Sequence, residues 1–367
     1  MSKDLKIVII AGARPNFIKI WPILNSIKKY PRIKYVLVNT GQHYDFEMSG
    51  IFFQDLKIEK PKYNLGIGSG TNAHQTGNAM IELEKLFIKE NPDLVMVVGD
   101  VNSTLAGALA ASKLHIPIAH VESGLRSKDL NMPEEINRIL TDHISNFLFC
   151  TEPSAIKNLI EEGIPKNKTF YVGNVMIDTL AKSKSKIKKL EILKKIGLEK
   201  NNYCLLTLHR QENVDNKEIF KNILEAIGKI QKNIKVIYPI HPRSEASIDK
   251  FGLRKTVNEF ENLIIIKPVG YLDMLSLTQN SKMVLTDSGG LQEETTYLGV
   301  PCLTIRKSTE RPITVEVGTN KIVGVDKNVI VREANKVLKN NIGNKKVPKY
   351  WDGKTAERII KIINSKL

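Results

Sequence analysis

Continuous apolar runs, rather than alternating apolar and polar positions, mark the predicted strands of this chain. The first run, Leu5–Ala11, leads into a helical pattern that reaches roughly Tyr30. Unalternated runs separated by helices are typical of a parallel sheet covered on both faces. In the first half, further strands are predicted at Tyr35–Asn39, Leu94–Val98, Pro117–Val121, Phe147–Cys150 and Phe170–Val172, with helices at His74–Lys89, Leu105–Leu114, Glu134–Ile144 and Ser154–Glu162.

The same pattern starts again in the second half, although no sequence repeat relates the two halves. Strands are predicted there at Tyr203–Leu208, Lys235–Ile240, Leu263–Lys267, Met283–Thr286 and Cys302–Ile305. A chain of 367 residues also exceeds the usual size of a single hydrophobic core. We therefore predict an α/β protein with two Rossmann-like doubly wound domains, residues 1–173 and 174–350, which meet at Gly173-Asn174. An amphipathic helix, Lys354–Ile363, lies in the terminal segment 351–367.

The basic composition is weighed against nucleic-acid binding. The chain has 55 Lys and Arg against 39 Asp and Glu, a net charge of +16. Lysines are densest in residues 182–195, where they alternate with Ile and Leu as in an amphipathic surface helix. Aromatic residues do not interleave with them as base-stacking platforms would. We therefore favour a solvated lysine-rich surface, which also attracts anionic ligands, over a nucleic-acid-binding one.

Cysteine usage and hydropathy indicate the compartment. The apolar run Ile7–Ile10 is too short for a signal sequence, and no stretch reaches membrane-spanning length. Cys150, Cys204 and Cys302 are far apart, each within an apolar run, and no Cys/His cluster exists. We therefore expect buried free thiols, no metal site, no membrane contact and a cytoplasmic location.

Charged residues gather where the predicted strands end. In doubly wound sheets, ligands bind beyond the carboxyl ends of the strands, at topological switch points. Gly12 follows the first strand, and Pro15 suits the first turn of the next helix. Arg14 and Lys19 could then face an anion at the helix N-terminus, although a turn with two surface cations fits equally well. The GxGxxG dinucleotide motif is absent.

Two neighbouring strands each deliver a carboxylate, Asp100 and Glu122. Asp100 also fits an ordinary helix N-cap, but a glutamate in an apolar run is costly without a partner or a role. Shortly afterwards, Glu134 lies four residues before Arg138, a spacing suited to an ion pair on a helix surface. Three acids and neighbouring arginines at two strand ends favour a functional site.

The second half offers a phosphate site. His209 follows one strand, and His241 follows the next, where each could contact a phosphate. The turn Ser288-Gly289-Gly290 leads a buried strand into a helix whose free N–H groups suit an anion. Glu294 could reach ribose hydroxyls, and Arg311 adds a cation. We favour diphosphate binding over a purely structural turn.

A set of motifs spread along the chain resembles one family. From about residue 5 to residue 325 they are GARPNFIK, TGQHYD, VVGDVNSTLAGALAA, HVESGLRS, MPEEINR, LHRQEN, TDSGGLQEE and STERPITVEVGT. This set is similar to that of the non-hydrolysing UDP-N-acetylglucosamine 2-epimerases. The resemblance implies the glycosyltransferase-B type architecture, with two domains facing across a cleft that holds the substrate. It also implies that the last helix packs back on the first domain.

The resemblance implies roles for the residues that match the family's motifs. The matching active-site positions are Arg14, Lys19, Asp100, Glu122, Glu134, Arg138 and His209. The matching UDP-binding positions are Ser288, Gly289 and Gly290 at the phosphate, Glu294 at the ribose, and Arg311. The candidate allosteric positions are Gln42 and His43.

The chain departs from the family pattern at three places. Met274 stands where some members place an aromatic residue beneath uracil. Asp45 replaces a second glutamine of the allosteric motif, and Ser69-Gly70-Thr71 offers no counterpart to that site's arginine.

The implied reaction inverts C2 of UDP-N-acetylglucosamine without a cofactor and gives UDP-N-acetylmannosamine. Because C2 is not next to a carbonyl group, UDP leaves C1, a proton leaves C2, and an enzyme-bound 2-acetamidoglucal forms. Asp100 and Glu122 suit the two proton transfers. Glu134 with Arg138 would orient the sugar or stabilise positive charge, and His209 with the other cations would stabilise the departing UDP.

Three other functions stay open beside this one. The nearest is a 2-epimerase of a UDP-2,3-diacetamido-uronic acid sugar, whose subgroup GARPNFIK and NLGIGSGTNAHQTG resemble, whereas STERP resembles the N-acetylglucosamine enzymes. A glycosyltransferase fits the fold, and a basic nucleic-acid-binding protein fits the charge. We expect a UDP-sugar as the ligand and a homodimer as the assembly.

Overall fold

The computed structural model describes residues 4–41, 58–187, 191–340 and 346–367. They form two compact units. Unit 1 comprises Met1–Lys182 and Lys349–Leu367, and unit 2 comprises Ser183–Pro348. Each unit contains one parallel sheet flanked by helices, so the predicted fold class is confirmed.

Unit 1 is built on a seven-stranded sheet in the order β3-β2-β1-β4-β5-β6-β7. All of its strand pairs are parallel. The chain reverses its direction of winding between β1 and β4, which makes this the switch point of the sheet. The strands are β1 Leu5–Ala11, β2 Ile33–Asn39, β3 Tyr63–Asn64, β4 Leu94–Val98, β5 Ile118–Ser123, β6 Phe147–Cys150 and β7 Thr169–Tyr171.

The helices of unit 1 cover this sheet. They are α1 Arg14–Ile27, α2 Asn72–Glu90, α3 Asn102–Lys113, α4 Pro133–Ile144, α5 Pro153–Glu161 and α6 Val175–Ile187, with a 3-10 turn at Lys166–Lys168. Proline occupies the first turn of α1, α4 and α5, where its missing N–H costs no hydrogen bond. The alanine-rich α3 is almost entirely buried, since its small side chains let α2 and α4 pack on either side.

Unit 2 repeats this arrangement in a six-stranded parallel sheet of order β10-β9-β8-β11-β12-β13. Its switch point lies between β8 and β11. The strands are β8 Tyr203–Thr207, β9 Lys235–Pro239, β10 Leu263–Ile266, β11 Met283–Thr286, β12 Cys302–Thr304 and β13 Asn320–Ile322. The helices are α7 Ile192–Lys195, α8 Gln211–Val214, α9 Lys217–Ile230, α10 Pro242–Lys250, α11 Arg254–Asn258, α12 Tyr271–Asn280, α13 Gly289–Leu298, α14 Ile313–Glu316 and α15 Lys327–Lys339.

Two strands and one helix differ from the sequence prediction. The sheet-edge strands β3 and β13 were not predicted, because two or three residues with one exposed or half-exposed face carry no periodic signal. The single surface helix predicted for residues 182–195 is wrong. Helix α6 ends at Ile187, α7 begins at Ile192, and Glu191 lies outside both helices.

The division between the units falls after Lys182 rather than at Gly173-Asn174. The first turns of α6 are tied to unit 1, because the Asp178 carboxylate accepts hydrogen bonds from the backbone N–H groups of Thr355 and Ala356 at 3.0 and 2.8 Å. Gly173 is itself a point of close packing. It has a φ of +97°, and a Cβ there would lie 2.1 Å from the Tyr350 carbonyl oxygen.

The final helix, α16 Thr355–Lys366, belongs to unit 1. Its Glu357 carboxylate pairs with Lys29 at 2.5 Å, just beyond the end of α1. The indole N–H of Trp351, which precedes the helix, donates to the carbonyl oxygen of Thr151 at 3.2 Å.

The three cysteines are free and buried, and burial raises the pKa of Cys150 to about 12 and of Cys302 to about 11. These thiols therefore remain protonated and unreactive. In the described part of the chain, no helix is long and apolar enough to span a membrane. Nor do three or more His, Cys, Asp or Glu side chains there gather as metal ligands.

Candidate active site

The loop after β1 packs tightly against the start of α3. A Cβ on Gly12 would lie 1.9 Å from the Ser103 hydroxyl oxygen, so this position excludes any side chain. Asn16, in the first turn of α1, accepts the N–H groups of Gly12 and Ala13 at 3.2 and 2.9 Å and donates to the carbonyl oxygen of Val98 at 2.8 Å. These contacts fix the start of α1 against the end of β4, at the switch point of unit 1.

Lys19 and Glu122 form a buried ion pair at this switch point. The ammonium nitrogen of Lys19 lies 2.5 Å from Oε2 of Glu122, and both side chains are shielded from solvent. Glu122 occupies an irregularity in β5, where the register with β6 shifts between Val121 and Ser123. Its φ of +74° is unusual for a residue with a side chain. Bulges and strained residues of this kind redirect side chains at functional sites.

Asp100 is held by Arg138 from α4. The guanidinium Nη2 and Nε of Arg138 lie 2.6 and 3.0 Å from Oδ2 of Asp100, and its Nη1 donates to Glu135 at 2.6 Å. The N-cap of α3 is Val101, so Asp100 is not the ordinary cap that its position allowed. Instead, its carboxylate is partly exposed at the end of β4, in contact with a buried cation.

The ion pair between Glu134 and Arg138 that their spacing allowed is not formed. Arg138 turns toward Glu135, three residues earlier on the same helix, and toward Asp100. Both oxygens of the Glu135 carboxylate are hydrogen-bonded, because it also accepts hydrogen bonds from the backbone N–H groups of Ser127 and Lys128 at 2.9 and 2.8 Å. Glu134 is half-buried, and its carboxylate has no hydrogen bond or ion pair with the described residues.

A buried histidine connects the ends of β4 and β5. Nε2 of His120 lies 2.8 Å from the carbonyl oxygen of Gly99, and Nδ1 lies 2.7 Å from Oδ1 of Asp142. The other Asp142 oxygen accepts the Gly124 N–H at 3.0 Å and pairs with Arg126. Burial alone would raise the pKa of Asp142, but His120 and Arg126 lower it below its usual value. This network fixes the residues that flank Asp100 and Glu122.

In unit 2, His209 and Asp287 meet at the switch point between β8 and β11. The His209 ring Nδ1 lies 2.9 Å from Oδ1 of Asp287, and its backbone N–H donates to the same carboxylate. Asp287 is fully buried, whereas the His209 side chain is 40% exposed. Burial would raise the pKa of Asp287, but hydrogen bonds and charge from His209 and the Arg210 N–H lower it.

The predicted phosphate turn opens helix α13. Ser288 is its N-cap, and no described side chain caps the helix, so the first N–H groups of Gly289 and Gly290 have no partner within it. The Arg311 guanidinium packs directly on the turn, since a Cβ on Gly289 would lie 2.6 Å from its Nη1.

Arg311 is a buried cation with two acidic partners. Its Nε donates to Glu293 at 2.7 Å, and its Nη1 donates to Glu310. The positive charge of Arg311, the further cation expected from the sequence, is therefore compensated inside unit 2. Arg306 also pairs with Glu310, at 2.8 Å.

Glu294, Met274 and His241 occupy distinct positions in unit 2. Glu294 lies buried in α13, where burial and the nearby charge of Glu293 raise its pKa to about 8, partly offset by a hydrogen bond with Tyr271. Met274 is half-buried and packs against an apolar cluster. The exposed His241 caps α10 by accepting the Arg243 N–H at 3.1 Å, and its ring centroid lies 5.7 Å from that of His209.

Four predicted positions lie partly or wholly outside the described residues. Arg14 begins α1, but its side chain is not described. Gln42, His43 and Asp45 of the candidate allosteric motif fall entirely outside the described ranges.

Comparison with known proteins identifies the family. A family model described as UDP-N-acetylglucosamine 2-epimerase matches residues 25–364. The UDP-N-acetylglucosamine 2-epimerase of Methanocaldococcus jannaschii is 48% identical over 364 residues, which cover 98% of this chain and 99% of that protein. The chain belongs to the UDP-N-acetylglucosamine 2-epimerase family.

Two further comparisons concern the fold and a second substrate class. The crystal structure of the M. jannaschii enzyme in complex with UDP-N-acetylglucosamine and UDP matches with a TM-score of 0.92 at 46% identity, covering 98% of this chain and all of that one. The UDP-2,3-diacetamido-2,3-dideoxy-D-glucuronate 2-epimerase of Pseudomonas aeruginosa is 46% identical over 334 residues, 90% of this chain and 91% of that protein.

Several site residues of this 2-epimerase family member escaped the sequence reasoning. They are His120, Glu135, Asp142 and Asp287, which lie inside or next to the motifs but received no role. A signal was available for His120 and Asp287, because a polar residue within or directly after a buried strand needs a partner. Their partners could not be named, since contacts across 22 or 78 residues depend on the folded chain.

Proposed function

We propose that this chain is a non-hydrolysing 2-epimerase that interconverts UDP-N-acetylglucosamine and UDP-N-acetylmannosamine. The observation that carries this proposal is the pair Asp100 and Glu122. Asp100 follows β4 and Glu122 lies near the end of β5, and these two parallel strands are hydrogen-bonded to each other. Asp100 is paired with Arg138, and Glu122 is paired with Lys19. Two carboxylates at neighbouring strand ends can exchange protons with a substrate from two directions.

The reaction proceeds by elimination and re-addition. The bond between C1 and the β-phosphate oxygen breaks, UDP keeps the electron pair, and one carboxylate takes the proton from C2. The product is 2-acetamidoglucal. A proton then returns to C2 on the opposite face, and UDP re-forms its bond to C1. The hydrogen and electron count is unchanged, so this reaction needs no nicotinamide.

The residues of unit 1 supply the proton transfers. The buried Lys19 holds the Glu122 carboxylate in place as a proton acceptor, while Arg138 orients the more exposed Asp100. Glu134, which has no partner among the described residues, is available to contact the sugar or to stabilise positive charge at C1.

The residues of unit 2 hold UDP. The unused N–H groups at the start of α13 bind phosphate oxygens, and His209 presents a ring nitrogen at the same switch point. Arg311 packs against the turn, and Glu294 is assigned to the ribose.

Epimerisation in D2O tests the mechanism. Purified protein is incubated with UDP-N-acetylglucosamine and followed by proton NMR. The expected product is UDP-N-acetylmannosamine that carries deuterium at C2, because the abstracted proton exchanges with solvent. Product that retains the original hydrogen at C2 would rule out elimination through a solvent-exchangeable acid.

A second substrate is favoured by one observation, the 46% identity to the P. aeruginosa diacetamido-uronate epimerase. This relative is nearly as similar as the M. jannaschii enzyme at 48%. Parallel assays with UDP-N-acetylglucosamine and the UDP-diacetamido-uronic acid separate the two. We expect a higher kcat/KM for UDP-N-acetylglucosamine, and the reverse ranking would assign the chain to the second activity.

We also propose that the protein is a homodimer. Large apolar side chains stand exposed on two helices that flank α3: Ile81 and Ile88 on α2, and Ile136 and Leu140 on α4. A second copy would remove this apolar surface from water. Light scattering should give a dimer that Ile136→Glu with Leu140→Glu dissociates. Ile160→Glu, on the comparably exposed α5, should leave the dimer intact.

A cytoplasmic location is proposed on the cysteine chemistry. Three free, buried thiols suit a reducing compartment. Cell fractionation should recover the protein in the cytoplasmic fraction, and recovery with secreted material would contradict this.

A further inference from the structure

The two oxygens of the Asp287 carboxylate make different contacts. Oδ2 accepts the backbone N–H groups of His209 and Arg210, both at 3.0 Å, and the side-chain N–H of Asn213 at 3.2 Å. Oδ1 faces the His209 ring at Nδ1, 2.9 Å away, with the His209 backbone N–H at 3.2 Å. Every contact is with a group that can donate.

This arrangement selects one form of the His209 ring. An ionised carboxylate only accepts hydrogen bonds, so Nδ1 of His209 must carry the proton that points at Oδ1. Nε2 is then the nitrogen left for a ligand or for a further proton. Because phosphate oxygens only accept hydrogen bonds, Nε2 can donate to them only when the ring carries a proton on both nitrogens.

Asp287 also fixes where this ring stands. It follows β11 directly and precedes Ser288, the N-cap of α13. Its backbone carbonyl accepts Nε of Arg210 at 3.1 Å, so β8 and β11 are joined at their ends through one residue. The ring of His209 and the start of the phosphate turn are therefore held in a constant relation.

We propose that Asp287 is a positioning residue that holds His209 in the Nδ1-protonated form and so presents Nε2 to the diphosphate of UDP. This assignment rests on the proposed function, because it concerns the leaving group of that reaction. Asp287 itself contacts neither substrate nor reacting atoms. It acts through His209, as a buried carboxylate orients a histidine in other enzymes.

Replacement by asparagine separates this role from a structural one. In Asp287→Asn, the amide oxygen can occupy the place of Oδ2 and keep the backbone hydrogen bonds. The amide NH2 then takes the place of Oδ1, where it can only donate. Nδ1 of His209 must become an acceptor, and the proton of the neutral ring moves to Nε2.

The experiment combines nitrogen NMR with kinetics. In the wild type, the His209 ring, assigned by comparison with His209→Gln, should be protonated at Nδ1. In Asp287→Asn it should be protonated at Nε2, with kcat lowered roughly 10- to 10,000-fold, the range seen when orienting carboxylates are lost. KM and the UDP dissociation constant should change less than about threefold, since the backbone donors remain.

Two comparisons guard the interpretation. Asn213→Ala removes a hydrogen bond to Oδ2 only, so the ring should stay protonated at Nδ1 and kcat should fall less than in Asp287→Asn. In a His209→Gln background, Asp287→Asn should cause no further loss of kcat, because its effect passes through the ring. A structural role would lower kcat by the same factor in both backgrounds.

The outcomes are distinguishable from failure of the proposed function. A wild-type ring protonated at Nε2 would overturn the proposal without any variant. Full turnover in Asp287→Asn, or equal losses in both backgrounds, would also overturn it while leaving the epimerase activity intact. If the wild type does not epimerise UDP-sugars, the proposed function fails and the presentation of Nε2 to UDP fails with it, whatever form the ring takes.

Discussion

The two units have the same strand order around their switch points but opposite arrangements of charge. In unit 1, the buried cation Arg138 holds the more exposed acid Asp100. In unit 2, the buried acid Asp287 holds the more exposed base His209, and Glu293 and Glu310 enclose Arg311. A shared scaffold thus presents carboxylates in one unit and donors in the other. The residues beneath the site, rather than the fold, decide which chemistry each switch point supports.

The backbone differs in the same way. In unit 1, Glu122 lies in a bulge of β5 and has a positive φ, which changes the direction of its side chain relative to a regular strand. In unit 2, α13 begins with Gly289 and Gly290 after Ser288, and this turn leaves backbone N–H groups accessible. This difference supports the proposal that unit 1 transfers protons and unit 2 binds the anion, and the following variants test this separation.

The largest effect is expected for the two carboxylates of unit 1. Asp100→Asn and Glu122→Gln should each lower turnover by at least about a hundredfold, the scale of lost general acid and base catalysis. UDP affinity, measured by calorimetry, should change little, because UDP is assigned to unit 2. Glu162→Gln, which loses the surface side of the Arg126 pair, is the matched control and should turn over normally. Near-normal turnover in both test variants would remove the proton-transfer role from unit 1.

Next in size is the effect of filling the glycine turn of unit 2. In Gly289→Ala, the added Cβ would lie 2.6 Å from Nη1 of Arg311, which Glu293 and Glu310 hold in place. UDP binding should weaken by about tenfold or more, since the donors act only near 3 Å. Gly77→Ala is the control, because no atom lies within 4 Å of the added Cβ. Unchanged UDP affinity in Gly289→Ala would separate the turn from the phosphate.

A smaller effect is expected for Arg311→Gln. Because two carboxylates already compensate this cation, its loss should weaken UDP only several-fold, but more than it weakens uridine, which lacks the diphosphate. Leaving Glu293 without its ion pair should also destabilise the fold, by roughly 3 kcal/mol in a thermal unfolding measurement. If binding of UDP and of uridine weakened equally, Arg311 would have a structural role. The anion would then be bound by the backbone N–H groups of the turn without Arg311.

The last prediction concerns stability rather than activity, as a pH dependence carried by Glu294. Its pKa is raised to about 8 in the fold against 4.5 for the ordinary group, so between these values the native state binds the extra proton. The free energy of unfolding should therefore fall with rising pH, by up to about 1.4 kcal/mol per unit from this group. Urea unfolding of wild type and Glu294→Gln from pH 5 to 8 checks this. If the free energy of unfolding changed with pH in the same way in wild type and in Glu294→Gln, Glu294 would be ionised in the folded protein.

Much of the fold was predictable because the central strands are buried on both faces. Runs such as Leu5–Ala11 and Leu94–Val98 need no tertiary information, since only a covered parallel sheet accommodates them. The edge strands β3 and β13 lacked this signal. The interruption between α6 and α7 was missed because lysines alternate with apolar residues on both sides of it.

The sequence by itself determined which chemical groups stand at the strand ends, because strand boundaries and motif order are local properties. It therefore predicted Asp100, Glu122, His209 and the Ser288 turn as candidates. Only the tertiary structure decided how these groups are paired. Arg138 and Asp100 are 38 residues apart in the sequence, and Asp287 and His209 are 78 residues apart. Contacts over such sequence separations cannot be predicted from the three- or four-residue spacing of a single helix. The charge and orientation of each group depend on these partners, because burial makes an unpaired ion too costly to retain.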